Sequence, residues 1–336
     1  MKKIFFGLLV LPLAFSLVVA CSGEQGQEAN SSNQSDNENE ITYPNEDITF
    51  IVGAPAGGGT DIGIRTLMPY VEEELGINVT VVNMEGASNW VALNELANSE
   101  PDGYTLSNFN APGATSGYMN PEFDRNHDLD SFTTVANHVT DSNIIAVNPN
   151  EDRFTTIEEL MEYAQENTVT ATTAGIGSDD HIASAKLNHE FGTQFEPIHS
   201  PDGTPEMIAN VMGGHVDVLF ANVGEIVQLH ESGELKVLAV MAEERDEFLP
   251  DVPTLIEAGY PITNSSYRGI LAPAGLDPAI LEILETAFEQ AITNEEHIEE
   301  MAQTGLRVDY QNSEQYRESL EETEQTVREL SDVMGW

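Results

Sequence analysis

At 336 residues the chain is long enough for roughly two domains, each with its own core. Its 58 acidic residues stand against 12 basic ones, and a formal charge of −46 argues against nucleic acid or an anionic membrane surface as a partner. The single cysteine leaves no internal disulfide and no thiolate metal site to consider.

The chain starts with Lys2 and Lys3, then the apolar run IFFGLLVLPLAFSLVVA, which Val18-Val19-Ala20-Cys21 closes in the pattern of a bacterial lipobox. The run is short, contains Pro12 and is followed by no basic cluster. A cleaved leader over residues 1–20 with lipidation at Cys21 is therefore expected in place of a membrane-spanning helix. Losing two lysines and no acid takes the formal charge from −46 to −48. Residues 21–40 are polar and acidic, so a flexible tether reaching roughly 25 Å is expected, with the folded part beginning near Ile41. The expected location is extracytoplasmic, anchored to the cell membrane by lipid.

From Ile48 onward, short apolar runs alternate with helical patterns. Strands are predicted over 48–52, 78–82 and 104–108, with helices over 61–75 and 89–98 between them. The pattern repeats with strands over 143–147, 169–174, 216–221 and 235–240. Thr155 and Glu158 read as a capping box opening a helix to Glu166; further helices are predicted to end near Phe191 and Met212. Asp277 and Pro278 open another helix, and Tyr316, Leu320, Val327, Leu330 and Met334 give 313–334 a buried face. The alternation implies an α/β fold with mostly parallel sheets, the C-terminal helices packing on the first unit.

The stretch Ala54-Pro-Ala-Gly-Gly-Gly-Thr-Asp61 joins the first strand to the first helix. A triphosphate loop starting at Gly53 would need lysine where Gly59 stands, and a dinucleotide fingerprint starting at Gly57 would need glycine where Ile62 stands. Both nucleotide readings fail on those residues. A glycine turn ahead of a helix N-terminus still suits a small anion such as a carboxylate. Ala54, Pro55, Gly57, Gly58, Gly59 and Thr60 are thus candidate ligand contacts. Thr60 or Asp61 is the expected N-cap, and Asp61 serves either as cap or as ligand contact.

Residues 48–106 as a whole resemble the start of the tripartite tricarboxylate transporter receptor family, the TctC or Bug type of solute-binding protein. GIGSDDHIAS (175–184), GGHVDVLF (213–220), SGELKVLAV (232–240), LPDVPTLIEAGYP (249–261) and GILAPAGLDP (269–278) resemble its further blocks, in order. The resemblance implies a two-lobed periplasmic-binding-protein-like fold with a cleft between the lobes and two crossovers. The implied boundaries are 41–140 with 264–336 for one lobe and 141–263 for the other. It further implies a monomer that holds a small organic carboxylate in the cleft and delivers it to a two-component membrane permease, or presents it to a sensor histidine kinase.

By the same resemblance Gly177 and Ser178 form the opposing half of the clamp, although Ser178 also suits a helix cap; His181 braces that helix start. Asn110 and Asn222 complete the candidate set. Two stretches depart from the family pattern. His199 to Pro205 replaces an aromatic, lysine and glycine cluster, making Asp202, Gly203 and Thr204 candidates of altered character. Tyr267-Arg268 stands near the hinge where a tryptophan is usual, and Arg268 is either a bidentate carboxylate contact or a hinge ion pair. No nucleophile elbow, metal-spaced histidines or cofactor motif is present, so neither catalysis, a metal nor a cofactor is expected.

Overall fold

The computed structural model describes residues 42–200 and 203–336; the expected leader, Cys21, the tether and Asp202 lie outside these residues. Strand β1 (Ile48–Val52) is buried along almost its whole length and runs parallel to β2 (Val79–Asn83) and β3 (Thr105–Ala111) on its two sides. Helix α1 (Gly59–Leu75) buries Ile64, Leu67, Met68 and Val71, one stripe at helical spacing, and ends at the left-handed Gly76. Helices α2 (Trp90–Ala97) and α3 (Gly113–Met119) flank β3 in sequence.

The next strand, β4 (Phe132–Val147), is 16 residues long and organises the rest. Its first part pairs antiparallel with β9 (Ser265–Pro273) as far as Ser142 opposite Ser265. From Asn143 it pairs instead with β7 (Val218–Asn222) and β8 (Lys236–Val240). One strand thereby serves two sheets, and the chain folds into two lobes joined where β4 and β9 cross. The second sheet continues through β5 (Val169–Thr173) to β6 (Phe195–His199), both parallel to their neighbours. Helices α4 (Ile157–Glu166), α5 (Asp179–Phe191), α6 (Thr204–Met212) and α7 (Val223–Glu231) belong to this half. The chain then returns through β9 to α8 (Pro278–Ile292), α9 (Glu295–Gln303), β10 (Val308–Asn312) and α10 (Ser313–Met334).

The sheets are mixed, not mostly parallel: β9, β10, β7 and β8 all pair antiparallel with β4, because the long crossing strands run against the strands of both halves. Each half has its own core. Phe50, Leu67, Ile270 and Phe288 meet in one; Ile145, Phe154, Phe195 and Phe220 meet in the other. The last helix departs from its expected place. Tyr316 and Leu320 pack with Trp90 and Phe109 of the first lobe, but Val327, Leu330 and Met334 pack on Ile182 and Ala185 of α5 in the second. At 22 residues the helix is about 33 Å long, and its two ends pack on different clusters.

Two helix starts also shift. The cap of α4 is Thr156, which accepts from the Glu159 N–H, while the Glu159 carboxylate reaches back to the N–H and hydroxyl of Thr155. The box expected from Thr155 and Glu158 is thus displaced by one residue, because the helix starts at Ile157 and Thr156 is its N-cap. Asp277 accepts from the Ala279 N–H and caps α8 as expected.

Gly269 marks the tightest approach between β9 and its neighbours. A Cβ there would sit 2.3 Å from the Tyr316 ring and 2.7 Å from the Ala136 carbonyl oxygen. Gly269→Ala should therefore destabilise the protein by roughly 1–3 kcal/mol through overpacking, read as a lowered midpoint in urea denaturation. An unchanged midpoint would contradict this packing.

Candidate functional site

Helix α1 opens without a side-chain cap on Gly58, its N-cap residue. The N–H groups of Gly59, Thr60 and Asp61 precede any helical acceptor and leave a positive helix end facing the gap between the lobes. Asp61 is neither the N-cap nor a cavity contact. It lies in the first turn, 2% exposed, and accepts from the Gly57 N–H at 2.8 Å, Arg65 Nε at 2.9 Å and Asn83 Nδ2 at 2.8 Å. Burial opposes its ionisation, yet the Gly57, Arg65 and Asn83 donors together hold its carboxyl below the ordinary value. Its role is to tie the glycine turn, where Gly57 has φ +81°, to the helix.

A chain of amides positions Thr60. Asn108 accepts from the Gly53 N–H, donates to Asn110 Oδ1, and Asn110 Nδ2 donates to Thr60 Oγ1 at 2.9 Å. With its lone pair engaged, the Thr60 hydroxyl has its proton free to donate outward.

These groups border a cavity of about 450 Å³ that lies between the lobes. Six expected residues line it: Gly59, Thr60, Asn110, Ser178, Asn222 and Arg268. Arg268 comes from β9, with Nη2 3.0 Å from Asp141 Oδ2 and Nη1 lying over Gly59. The Asp141 pair makes Arg268 a hinge ion pair, and the position of Nη1 also gives it a place at the cavity. Asp141 is 3% exposed; burial pushes its carboxyl up to about 7, against the opposing pull of Arg268.

The second lobe supplies the facing wall. Ser178 caps α5 by accepting from the His181 N–H, and His181 Nδ1 accepts from the Gly177 N–H, so this histidine does brace the helix start. Burial lowers the His181 imidazole to about 4, which keeps it neutral and able to accept. Asp179 Oδ2 accepts from Asn143 Nδ2 and Asn222 Nδ2, both at 2.9 Å. Glu225, an exposed residue in the first turn of α7, accepts from the Thr204 hydroxyl at 2.7 Å and the Asn222 N–H at 3.2 Å.

The model of the tripartite tricarboxylate transporter family receptor, TctC, matches residues 64–335. The chain belongs to this family. It is a solute-binding receptor and not an enzyme. The receptor is 30% identical over 297 residues to the UPF0065 protein in the gbd 5′ region of Cupriavidus necator, covering 87% of this chain and 89% of that one. The solved structure of a TctC solute-binding protein from Polaromonas superposes with a TM-score of 0.77 at 26% identity, covering 87% and 99%. That of MatC from Rhodopseudomonas palustris with bound malate gives 0.70 at 23% identity, covering 87% and 100%.

Several expected contacts of the receptor fall outside the cavity. Ala54, Pro55, Gly57 and Gly58 form the turn behind α1, and the Ala54 carbonyl accepts from Asn83. Gly177, with φ +75°, is packed so that a Cβ would lie 2.4 Å from Ser116 Cβ, a structural position. Gly203 and Thr204 open α6, one step removed from the cavity, and Thr204 acts on it only by holding Glu225. The facing wall is therefore the starts of α5 and α7, and the described residues of the 199–205 loop do not line it.

Sequence reasoning passed over Asp179, Gly224, Glu225 and Ser266, and an apolar side made by Ile62, Ala111 and Leu306. The start of α7 was detectable: Asn222 and Glu225 have capping-box spacing.

Removing the guanidinium beside Asp141 tests this electrostatic reading. Arg268→Met should destabilise the receptor by roughly 1–3 kcal/mol at about pH 8, capped because Asp141 can take up a proton. The folded-state pKa of Asp141 is already raised and would rise further, so the loss should shrink toward pH 5, where the carboxyl is neutral. Adding Asp141→Asn should recover most of it. Urea denaturation at the two pH values checks all three, and a pH-independent loss would contradict the assignment.

Proposed function

We propose that the receptor binds a small organic carboxylate in the interlobe cavity and hands it to a tripartite tricarboxylate-type permease from an extracytoplasmic, lipid-anchored position. One observation carries the ligand class: the uncapped N-terminus of α1 and the Arg268 guanidinium converge on the same cavity, with the Thr60 hydroxyl between them. Free amides at a helix end and a guanidinium are both suited to a carboxylate, and their charges reinforce each other in a partly dry site. MatC, which shares the fold, holds malate. Solved relatives described as periplasmic, such as BugD, support the extracytoplasmic location.

The lobes are taken as 41–140 with 264–336 and 141–263, closing over the solute by bending at the two crossovers. Asn110, Ser178 and Asn222 then border the solute from both sides. Gly59 supplies backbone approach, Thr60 a hydroxyl donor, and Arg268 the charge.

A thermal-shift and calorimetric screen of mono-, di- and tricarboxylates tests the ligand class. Stabilisation should reach about 2.7 kcal/mol at a hundredfold excess over Kd. For the best ligand, Thr60→Val should raise Kd by about 10- to 100-fold, the worth of one hydrogen bond to a charged acceptor. Lack of any response to organic acids would overturn the assignment.

The anchor is tested separately. Cys21→Ser should move the protein from the membrane fraction to the soluble fraction without altering its Kd. Unchanged partition would remove lipidation at Cys21.

A further inference from the structure

The cavity has two chemically opposite walls. On one side are the α1 amides, Thr60 and Arg268; on the other are the carboxylates of Asp179 and Glu225. Behind that second wall Asp141 and Asp180 are buried, 3% and 4% exposed. Of these four carboxyl groups, Asp141 takes up the Nη2 of Arg268.

The remaining partners of the acidic wall are neutral. Asp179 accepts from two asparagine amides, Glu225 from a threonine hydroxyl and a backbone N–H, and Asp180 from Asn143 and the Ala174 N–H. Burial pushes the Asp180 carboxyl well above the ordinary carboxylate range, while at Asp179 and Glu225 such donors fix the carboxylates in place without cancelling their charge. A plain dicarboxylate clamped by Arg268 would set its second carboxylate against this wall, where like charges repel strongly away from bulk water.

We infer, on the strength of the carboxylate-receptor assignment above, that the solute is an amino-carboxylate: its carboxylate meets α1 and Arg268, and its ammonium group meets Asp179 and Glu225. An ammonium nitrogen offers several N–H donors to two acceptors already oriented by the protein, and a quaternary nitrogen offers none. The charge of the whole chain points the same way. A solute with no net charge is not repelled by a protein of formal charge −46, as a dianion is.

Calorimetry on the full chain carrying Cys21→Ser would compare succinate with aspartate and glutarate with glutamate. The wider panel sets plain acids of comparable length against γ-aminobutyrate and glycine betaine. The tightest ligand should carry a cationic nitrogen and bind at least about 10-fold better than its plain counterpart. Asp179→Asn and Glu225→Gln, both isosteric, should each weaken it by about 10-fold or more and leave the plain acids unaffected or improved. If Asp179→Asn fails to fold, Glu225→Gln alone decides.

Plain acids binding as well as their amino counterparts would overturn the inference and leave the carboxylate assignment standing. Plain acids binding more tightly as pH falls from about 8 to 6 would point to a protonated Glu225 in place of an ammonium partner, and would also overturn it. Binding of nothing in either series would overturn both.

Discussion

A carboxylate and a guanidinium, buried together at the place where one strand changes sheets, set the terms for the architecture and for the site. Asp141 lies at the end of the stretch of β4 that pairs with β9, and Arg268 reaches it from β9 itself. The same carboxylate accepts from the Gly224 N–H at the start of α7. One buried charge therefore joins the crossing strand, its partner strand and a helix of the opposite lobe. Leaving any of these contacts unmade would strand a polar group away from water, a larger loss than the contact's net worth when made. The position of Arg268 Nη1 over the α1 terminus follows from that anchoring.

How much of this was legible depended on how each segment meets solvent. Strands β1 and β8 are covered on both faces, so their sequences are apolar runs that announce themselves, and β5, Val-Thr-Ala-Thr-Thr, is marked instead by its β-branched residues. β9 was missed as a strand because its first residues, Ser265 to Arg268, line the crossover and the cavity and are polar for that reason. β10, Val308–Asn312, is half-buried throughout and has no clean alternation. The glycine loop pointed to the helix end that borders the cavity, yet the residues lining it fall one later than the loop's centre. Gly57 and Gly58 make the turn; Gly59 and Thr60 face the cavity.

The acidic wall was invisible for a different reason. Among 58 carboxylates, nothing in composition distinguishes Asp179 and Glu225 from solvated surface acids. What separates them is their place on the cavity in front of the buried Asp141 and Asp180, a property of topology. β4 must first carry Asp141 and Asn143 to the crossover, and α5 and α7 must start side by side, before the wall exists. Part of the sequence signal was also misdirected. The altered 199–205 loop drew attention as the second jaw, whereas Thr204 contributes only by orienting Glu225.

The hinge itself is built from amides that also touch the site. Asn143 N–H donates to the Asn264 carbonyl, Asn264 Nδ2 donates to Asn143 Oδ1 at 2.7 Å, and both side chains reach Asp179, one at its carboxylate and one at its backbone oxygen. An apolar hinge would pack without regard to what occupies the cavity. This one cannot, because any group that draws the Asp179 carboxylate toward the cavity competes with the Asn143 amide that orients it. The proposed bending at the crossovers and filling of the acidic wall would thus act on the same hydrogen bonds. A solute can favour the closed arrangement only through such differential contacts, and Asp179 is where the cavity and hinge share them.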